Sequence, residues 1–160
     1  MSLRVGCGID FHQLATGREL WIGGVKIPFE KGAVGHSDAD VLLHAICDAL
    51  LGAACAGDIG IHFPNTSAEF KNIASSQLLE RTMAIIRKEN YSVVNIDSTI
   101  CLEEPKIKNF TNQMQQIISE IVGVKTTDVS IKATTTETMG FIGRGDGVAA
   151  MATVLLEKKG

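Results

Sequence analysis

Between Ser37 and Ala56 almost every turn of the chain is apolar, yet Asp40, His44 and Asp48 recur at intervals of four. The spacing predicts a helix that begins near Ser37 and runs to about Ala56, before Gly57. The Ser37 hydroxyl can cap its first turn, and Asp38 and Asp40 favour its positive end. Val41, Leu42, Ala45, Ile46, Ala49, Leu50 and Ala53 then form one apolar face, with the three polar residues on a second stripe. A polar stripe on an otherwise buried helix needs a polar partner. The chain must therefore fold in layers that bring such a partner to it.

The partner is legible at the N-terminus. Leu3 to Leu14 reads as a strand, so Asp10 and His12, two positions apart, point from the same face. If His44 packs against them, two imidazoles and one carboxylate can close on one metal. Zinc held that way keeps an open coordination position, as catalytic sites do. Asp40 and Asp48 flank His44, and either can accept from its other ring nitrogen and fix the tautomer.

The remaining chain predicts a Gly23-Gly24 hairpin between Glu19–Ile22 and Val25–Pro28, and a loop at Asp58–Ser67. A helix follows over Ser75–Lys88 with Leu78, Leu79, Met83 and Ile86 inward. Next come a strand over Tyr91–Leu102 with Val94, Ile96, Ser98 and Ile100 on one face, a helix opened by Pro105 and reaching Val122, and strands over Val129–Ala133 and Gly147–Glu157. This order predicts an α/β (α+β) two-layer protein, a mixed β-sheet with helices on one face. The 160 residues form one domain, 1–160, large enough to bury its own core.

A net charge of −3 offers no broad basic surface for nucleic acid, and no apolar run spans a membrane. Cys7, Cys47, Cys55 and Cys101 form no C-x-x-C pair and read as reduced thiols, which predicts a cytoplasmic protein. An organelle address could have been trimmed without trace.

A second constellation lies at Lys132–Gly147. Thr134, Thr135 and Thr136 offer hydroxyl and amide donors, Glu137 a hard oxygen ligand, and Arg144 a planar fork for phosphate; together they suit a metal-bound diphosphate. The glycines match neither G-x-G-x-x-G after a strand nor a P-loop, and Arg144-Gly145-Asp146 is incidental as an adhesion tripeptide. His36 and Ser37, just before the helix, can present an imidazole and a hydroxyl to an anion.

Taken in order, four motifs resemble the 2-C-methyl-D-erythritol 2,4-cyclodiphosphate synthase family. They are Gly8-x-Asp10-x-His12, His36-Ser37-Asp38-Ala39-Asp40-Val41-x-x-His44-Ala45, Asp58-Ile59-Gly60-x-x-Phe63-Pro64 and Lys132-Ala133-Thr134-Thr135-Thr136-Glu137-x-x-Gly140-Phe141-x-Gly143-Arg144. The resemblance runs from Arg4 to about Glu157. It implies a homotrimer around a sheet-lined channel, with active sites between subunits, acting in the non-mevalonate isoprenoid route. The substrate would be 4-diphosphocytidyl-2-C-methyl-D-erythritol 2-phosphate, whose 2-phosphate attacks its own β-phosphorus and displaces CMP.

The same resemblance implies Zn²⁺ on Asp10, His12 and His44, and Mg²⁺ or Mn²⁺ on Glu137. His36 and Thr135 would stabilise the transition state, with Ser37, Thr134 and Thr136 as nearby donors. Asp58 and Gly60 would meet the methylerythritol, beside a substrate-facing loop of Phe63, Asn65 and Ser67. Leu102, Pro105 and Lys106 would wall the cytidine pocket with Ala133 and Thr134. Phe141 and Arg144 also fall at matching positions; in some relatives the arginine lines a central trimer channel that holds an isoprenoid diphosphate, a role that competes with substrate binding.

Where many relatives carry Asp-Thr-Asp, this chain has Asn65-Thr66-Ser67. Asn and Ser still donate and accept hydrogen bonds, so altered affinity or loop order is expected rather than lost activity. At Ile9 some relatives carry an aromatic, which bears on any isoprenoid pocket. Two rival functions use the same residues: a zinc-dependent phosphohydrolase, and a non-catalytic isoprenoid-diphosphate-binding trimer.

Overall fold

Two glycines set how closely the layers pack. A Cβ added at Gly6 would lie 2.0 Å from the Ala49 carbonyl oxygen, and one at Gly8 2.0 Å from that of Ala45. The helix backbone therefore rests directly on the strand, closer than any side chain permits.

In the computed structural model, which describes residues 2–159, that strand is β1 (Ser2–Thr16). It is followed by β2 (Leu20–Ile22), β3 (Val25–Ile27), β4 (Lys31–Ala33), α1 (Val41–Ala53), α2 (Ile59–His62) and α3 (Ser75–Lys88). Then come β5 (Tyr91–Cys101), α4 (Thr111–Val122), β6 (Val129–Thr134), α5 (Gly140–Gly143) and β7 (Gly147–Lys158). Five strands form one sheet in the order β4-β1-β7-β5-β6, parallel only between β5 and β6; β2 and β3 pair separately. The expected mixed sheet with a helix layer is what forms.

The long helices cover one face, α1 over β1 and β7, α3 over β5 and α4 over β6. Ile96, Ile100, Val148, Ala152, Val154 and Leu156 are buried beneath them. The other face is open. Val5 is 70% exposed there, Ile9 51%, Phe11 52% and Met151 49%, an apolar stripe along β1 and β7. No helix among the described residues is long and apolar enough to cross a membrane.

Three boundaries differ from the sequence reading by three residues or more. Helix α1 begins at Val41, not near Ser37, because Asp40 is its N-cap and accepts from the Leu43 N–H at 3.0 Å. It ends at Ala53 rather than Ala56. Cys55 takes a left-handed φ of +56°, and the Ala54 and Ala56 N–H groups close on the Leu50 and Leu51 carbonyls. Pro105 does not open a helix. The buried Ile107 anchors the connection, a 3₁₀ turn spans Lys108–Phe110, and α4 starts at Thr111. In β5 the expected inward Val94 is exposed, because a bulge between Val93 and Asn95 gives its inward place to Val93.

Candidate metal centre and its cleft

Helix α1 rests on β1 at Gly8 and Ala45, so His44, one residue before that contact, is brought against Asp10. The Asp10 Oδ2 lies 2.9 Å from His12 Nε2 and 3.2 Å from His44 Nδ1, and the two ring nitrogens are 3.1 Å apart. A tetrahedron with metal–ligand bonds of 2.0–2.1 Å has edges of about 3.3–3.4 Å. The three donor atoms, all half-buried, already stand near that spacing and fit a divalent ion with a fourth position open. The nitrogen-and-oxygen donor set suits zinc.

Each imidazole is held through its other nitrogen. His12 Nδ1 is 3.0 Å from the Val34 carbonyl, which can only accept, so Nδ1 carries the proton and Nε2 faces the cluster. His44 Nε2 meets the hydroxyls of Ser75 at 2.9 Å and Ser37 at 3.1 Å. Burial alone would raise the Asp10 carboxyl, but hydrogen bonds and charge from His12 and His44 hold it well below the usual carboxylate range. Burial would likewise lower His12; Asp10 outweighs it and raises the imidazole above its ordinary value. The cluster is a proton-holding site that a cation can take over.

The carboxylates expected to orient His44 do other work. Asp40 is fully buried and accepts from Gly23 N–H at 2.9 Å, Gly24 N–H at 2.7 Å and Leu43, locking the β2–β3 turn to the start of α1. Its orientation is fixed by those three donors. Asp48 accepts from Ile59 N–H at 2.7 Å and anchors the loop before α2, where burial raises its carboxyl.

Beside the cluster is a cleft of about 440 Å³, whose lining includes His12, His44, His36, Ser37, Gly60, Phe63 and Asn65. The rings of Phe63 and Phe70, 5.5 Å apart, brace one side. His36 reaches the Ser67 carbonyl through Nε2 at 3.1 Å, tying the two rims. The Ser67 hydroxyl accepts from Glu69 N–H, and Asp58 caps α2 by accepting from Ile61 N–H.

The second constellation is at the other end of the sheet row. Asp10 pairs with Ala150, Ala150 with Ile100 and Ile100 with Ala133. Three strand spacings, about 14 Å, therefore separate Asp10 from β6. Beyond β6 the turn is tightly made. Glu103 accepts from Thr136 N–H at 3.2 Å and Thr138 N–H at 3.0 Å, and Thr135 Oγ1 donates to Glu137 Oε1 at 3.0 Å. Glu137 and Thr138 both have positive φ, +53° and +64°. A β-branched residue there is strained backbone held by its surroundings. Leu102 joins this end through its N–H to the Thr134 carbonyl, and Lys106 reaches the Glu103 carbonyl beside Pro105.

Phe141 and Arg144 are in neither place. Phe141 lies 6.2 Å from the Phe11 ring, beside a separate hollow of about 430 Å³, and Arg144 donates through Nε to Asp146 at 2.9 Å. Ser75, Asp38, Val34 and Glu103 were not foreseen in these roles. Only Asp38, which shares a motif with His36 and His44, left any signal in the sequence.

The sequence pattern of the YgbB family matches residues 3–157. The chain is 57% identical over 158 residues to the 2-C-methyl-D-erythritol 2,4-cyclodiphosphate synthase of Phocaeicola vulgatus and 55% to that of Bacteroides fragilis, covering 99% of each chain in both cases. Among solved structures it is similar to the bifunctional IspDF of Campylobacter jejuni, with a TM-score of 0.95 and 39% identity. That match spans 99% of this chain and 43% of that one. The CDP complex of Plasmodium falciparum IspF has a TM-score of 0.87 and 31% identity, over 99% and 98% of the two chains.

Proposed function

The chain belongs to the YgbB family, and we infer that its Asp10–His12–His44 cluster and the Thr134–Glu137 turn of a neighbouring copy are two halves of one active site. It carries out the cyclodiphosphate-forming step of the non-mevalonate isoprenoid route, giving 2-C-methyl-D-erythritol 2,4-cyclodiphosphate. The observation that carries the two-halves reading is the pairing row that keeps Asp10 three strands from Ala133. An apolar stripe at Val5, Ile9, Phe11 and Met151 supports packing of the open sheet faces together in a homotrimer, around a channel beside Phe141 and Arg144. Each copy works as a single domain, in the cytoplasm.

The substrate we propose is 4-diphosphocytidyl-2-C-methyl-D-erythritol 2-phosphate, and the reaction is that of a phosphorus–oxygen lyase. The 2-phosphate attacks the β-phosphorus and CMP leaves, so the protein needs no nucleophile of its own. Its task is to fold a flexible polyanion into line and to offset charge at the reacting phosphorus. Zinc held by Asp10, His12 and His44, with Mg²⁺ or Mn²⁺ at Glu137, would supply Lewis acidity to the diphosphate oxygens. His36 and Ser37 line the cleft as donors to the phosphates, and Gly60 with Asp58 lies where the methylerythritol would sit. From the neighbour, Thr134, Thr135 and Thr136 offer further donors, and Leu102, Pro105, Lys106 and Ala133 enclose the cytidine. Phe63, Asn65 and Ser67 belong to the loop that rims the cleft.

Incubation with this substrate, with and without a chelator, followed by phosphorus NMR tests the reading. Chelator-sensitive release of CMP with a cyclic diphosphate is expected. Linear phosphate products would instead identify a phosphohydrolase, and unchanged substrate a binding module.

A further inference from the structure

The three candidate ligands do not explain why His44 presents Nδ1 rather than Nε2. The answer lies on helix α3, which contributes nothing to the cluster itself. Ser75 is its first residue, fully buried, and Ala74 before it makes no side-chain cap. The cap comes from elsewhere in the chain: Asp38 Oδ2 accepts from Ser75 N–H at 2.9 Å, and Asp38 Oδ1 accepts from the Ser75 hydroxyl. A carboxylate has no proton to give, so the Ser75 hydroxyl spends its hydrogen on Asp38 and keeps its lone pairs for His44 Nε2 at 2.9 Å.

Asp38 is itself held. Its N–H donates to the Ile73 carbonyl, the Asn72 N–H donates to the His36 carbonyl, and both contacts bolt the 36–40 loop to the segment entering α3. Ala39, buried with a φ of +56°, turns the chain so that Asp38 faces α3 while Asp40 returns to cap α1. Ser37 adds a second hydroxyl at 3.1 Å from the same nitrogen; its oxygen accepts from the Ala39 N–H and keeps a further lone pair for a protonated Nε2.

We propose that Asp38 and Ser75 are positioning residues for the metal ligand His44: their relay puts the proton on Nε2, turns Nδ1 to the ion and tightens its binding. The proposal rests on the reading of Asp10, His12 and His44 as metal ligands. The relay places negative charge two hydrogen bonds behind the ring, as carboxylates stand behind ligating histidines, and fixes which nitrogen faces the ion. It also makes the geometry of the metal site depend on the docking of α3.

The test is zinc affinity at neutral pH, measured by competition with a chromophoric chelator. Native protein should bind one zinc per chain, and Ser75→Ala should bind roughly 10–100-fold more weakly while its circular dichroism stays native. Asp38→Asn should weaken binding as well, because an amide turned to Ser75 can donate to the hydroxyl and reverse the relay. Nitrogen-15 NMR of the imidazoles in the native protein provides a readout independent of any variant: a protonated Nε2 and an unprotonated or zinc-bound Nδ1 are expected for His44. Zinc on Nε2, or a folded Ser75→Ala protein with undiminished affinity, overturns the relay alone. A native protein that takes up no zinc overturns the metal reading and the relay with it.

Discussion

Asp10 and Ala133 occupy one continuous row of the sheet, joined through Ala150 and Ile100, and stand at opposite ends of it. No rotamer change brings the Glu137 turn to the metal cluster of the same chain, because the intervening strands are fully paired. On the proposed reading, different copies supply the two constellations to one substrate.

That arrangement predicts complementation. His44→Ala and Glu137→Ala proteins should each lose more than about 100-fold in turnover, since each lacks a group that offsets charge at the reacting centre. Coexpressed in equal amounts, they should recover activity in roughly a quarter of the sites, the fraction in which a head-to-tail ring places two intact halves together. Turnover of the purified mixture checks this, and a mixture no more active than its components would sink the shared site.

Asp40 gives a second prediction, on stability rather than chemistry. Removing its carboxylate leaves the Gly23, Gly24 and Leu43 N–H groups without an acceptor in a fully buried place. Asp40→Ala should cost about 3 kcal/mol or more by urea unfolding. Asp40→Asn, which keeps one acceptor, should cost less. Zinc content of the folded fraction should be unchanged in both, which a role in orienting His44 would not allow.

The metal half of the site was legible because it is local: an i, i+2 pair on a strand and a polar stripe on a helix fix which side chains share a face. Helix α3 was legible to the residue for the same reason, its apolar period being uninterrupted from Ser75 to Lys88. Contacts that join distant segments left no such trace. Asp38 and Ser75 are separated by 37 residues, and Asp40 finds its donors in the Gly23-Gly24 turn, so neither partnership has a spacing to read. The error at Pro105 came from treating a proline as a helix start when buried Ile107 and the Glu103 grip on the Thr136–Thr138 turn decide the local path.

Glycines supply a paired prediction. Gly8→Ala drives its new methyl against the backbone oxygen of Ala45 at 2.0 Å, where nothing flexible can yield, so a cost of about 3 kcal/mol or more and a displaced His44 are expected. Gly52, exposed in the last turn of α1 with nothing within 4 Å of an added Cβ, behaves oppositely. Gly52→Ala should stabilise by about 0.5–1 kcal/mol through helix propensity. Thermal melts of the two variants would show opposite shifts.

Asn65 lines the same cleft as His12, His36 and His44, and its side chain takes no part in the hydrogen bonds that hold the ligand cluster. Asn65→Asp should therefore leave turnover within about threefold and act mainly on KM, the pattern of an interaction made equally in ground and transition states. A large gain in turnover would show that the amide had replaced a carboxylate the chemistry needs.

Metal removal and pH are linked through the cluster. In the metal-free protein Asp10 is held below its ordinary 3.8, so its contribution to stability is present above that value and fades as pH falls through the lowered one. His12 is held above its ordinary 6.5, so its contribution is full below 6.5 and is lost as pH rises through the raised value. The metal-free fold gains most from the pair between those limits. A bound ion needs His12 unprotonated, so its own contribution grows as that proton leaves. At saturating zinc, on the order of 100 times Kd, the ion should add about 2.7 kcal/mol near pH 8, and the rise in Tm on adding zinc should shrink markedly at pH 5.5. Calorimetry of chelated and zinc-loaded protein at both pH values checks this; an equal rise at both would mean that the ion and the His12 proton do not compete.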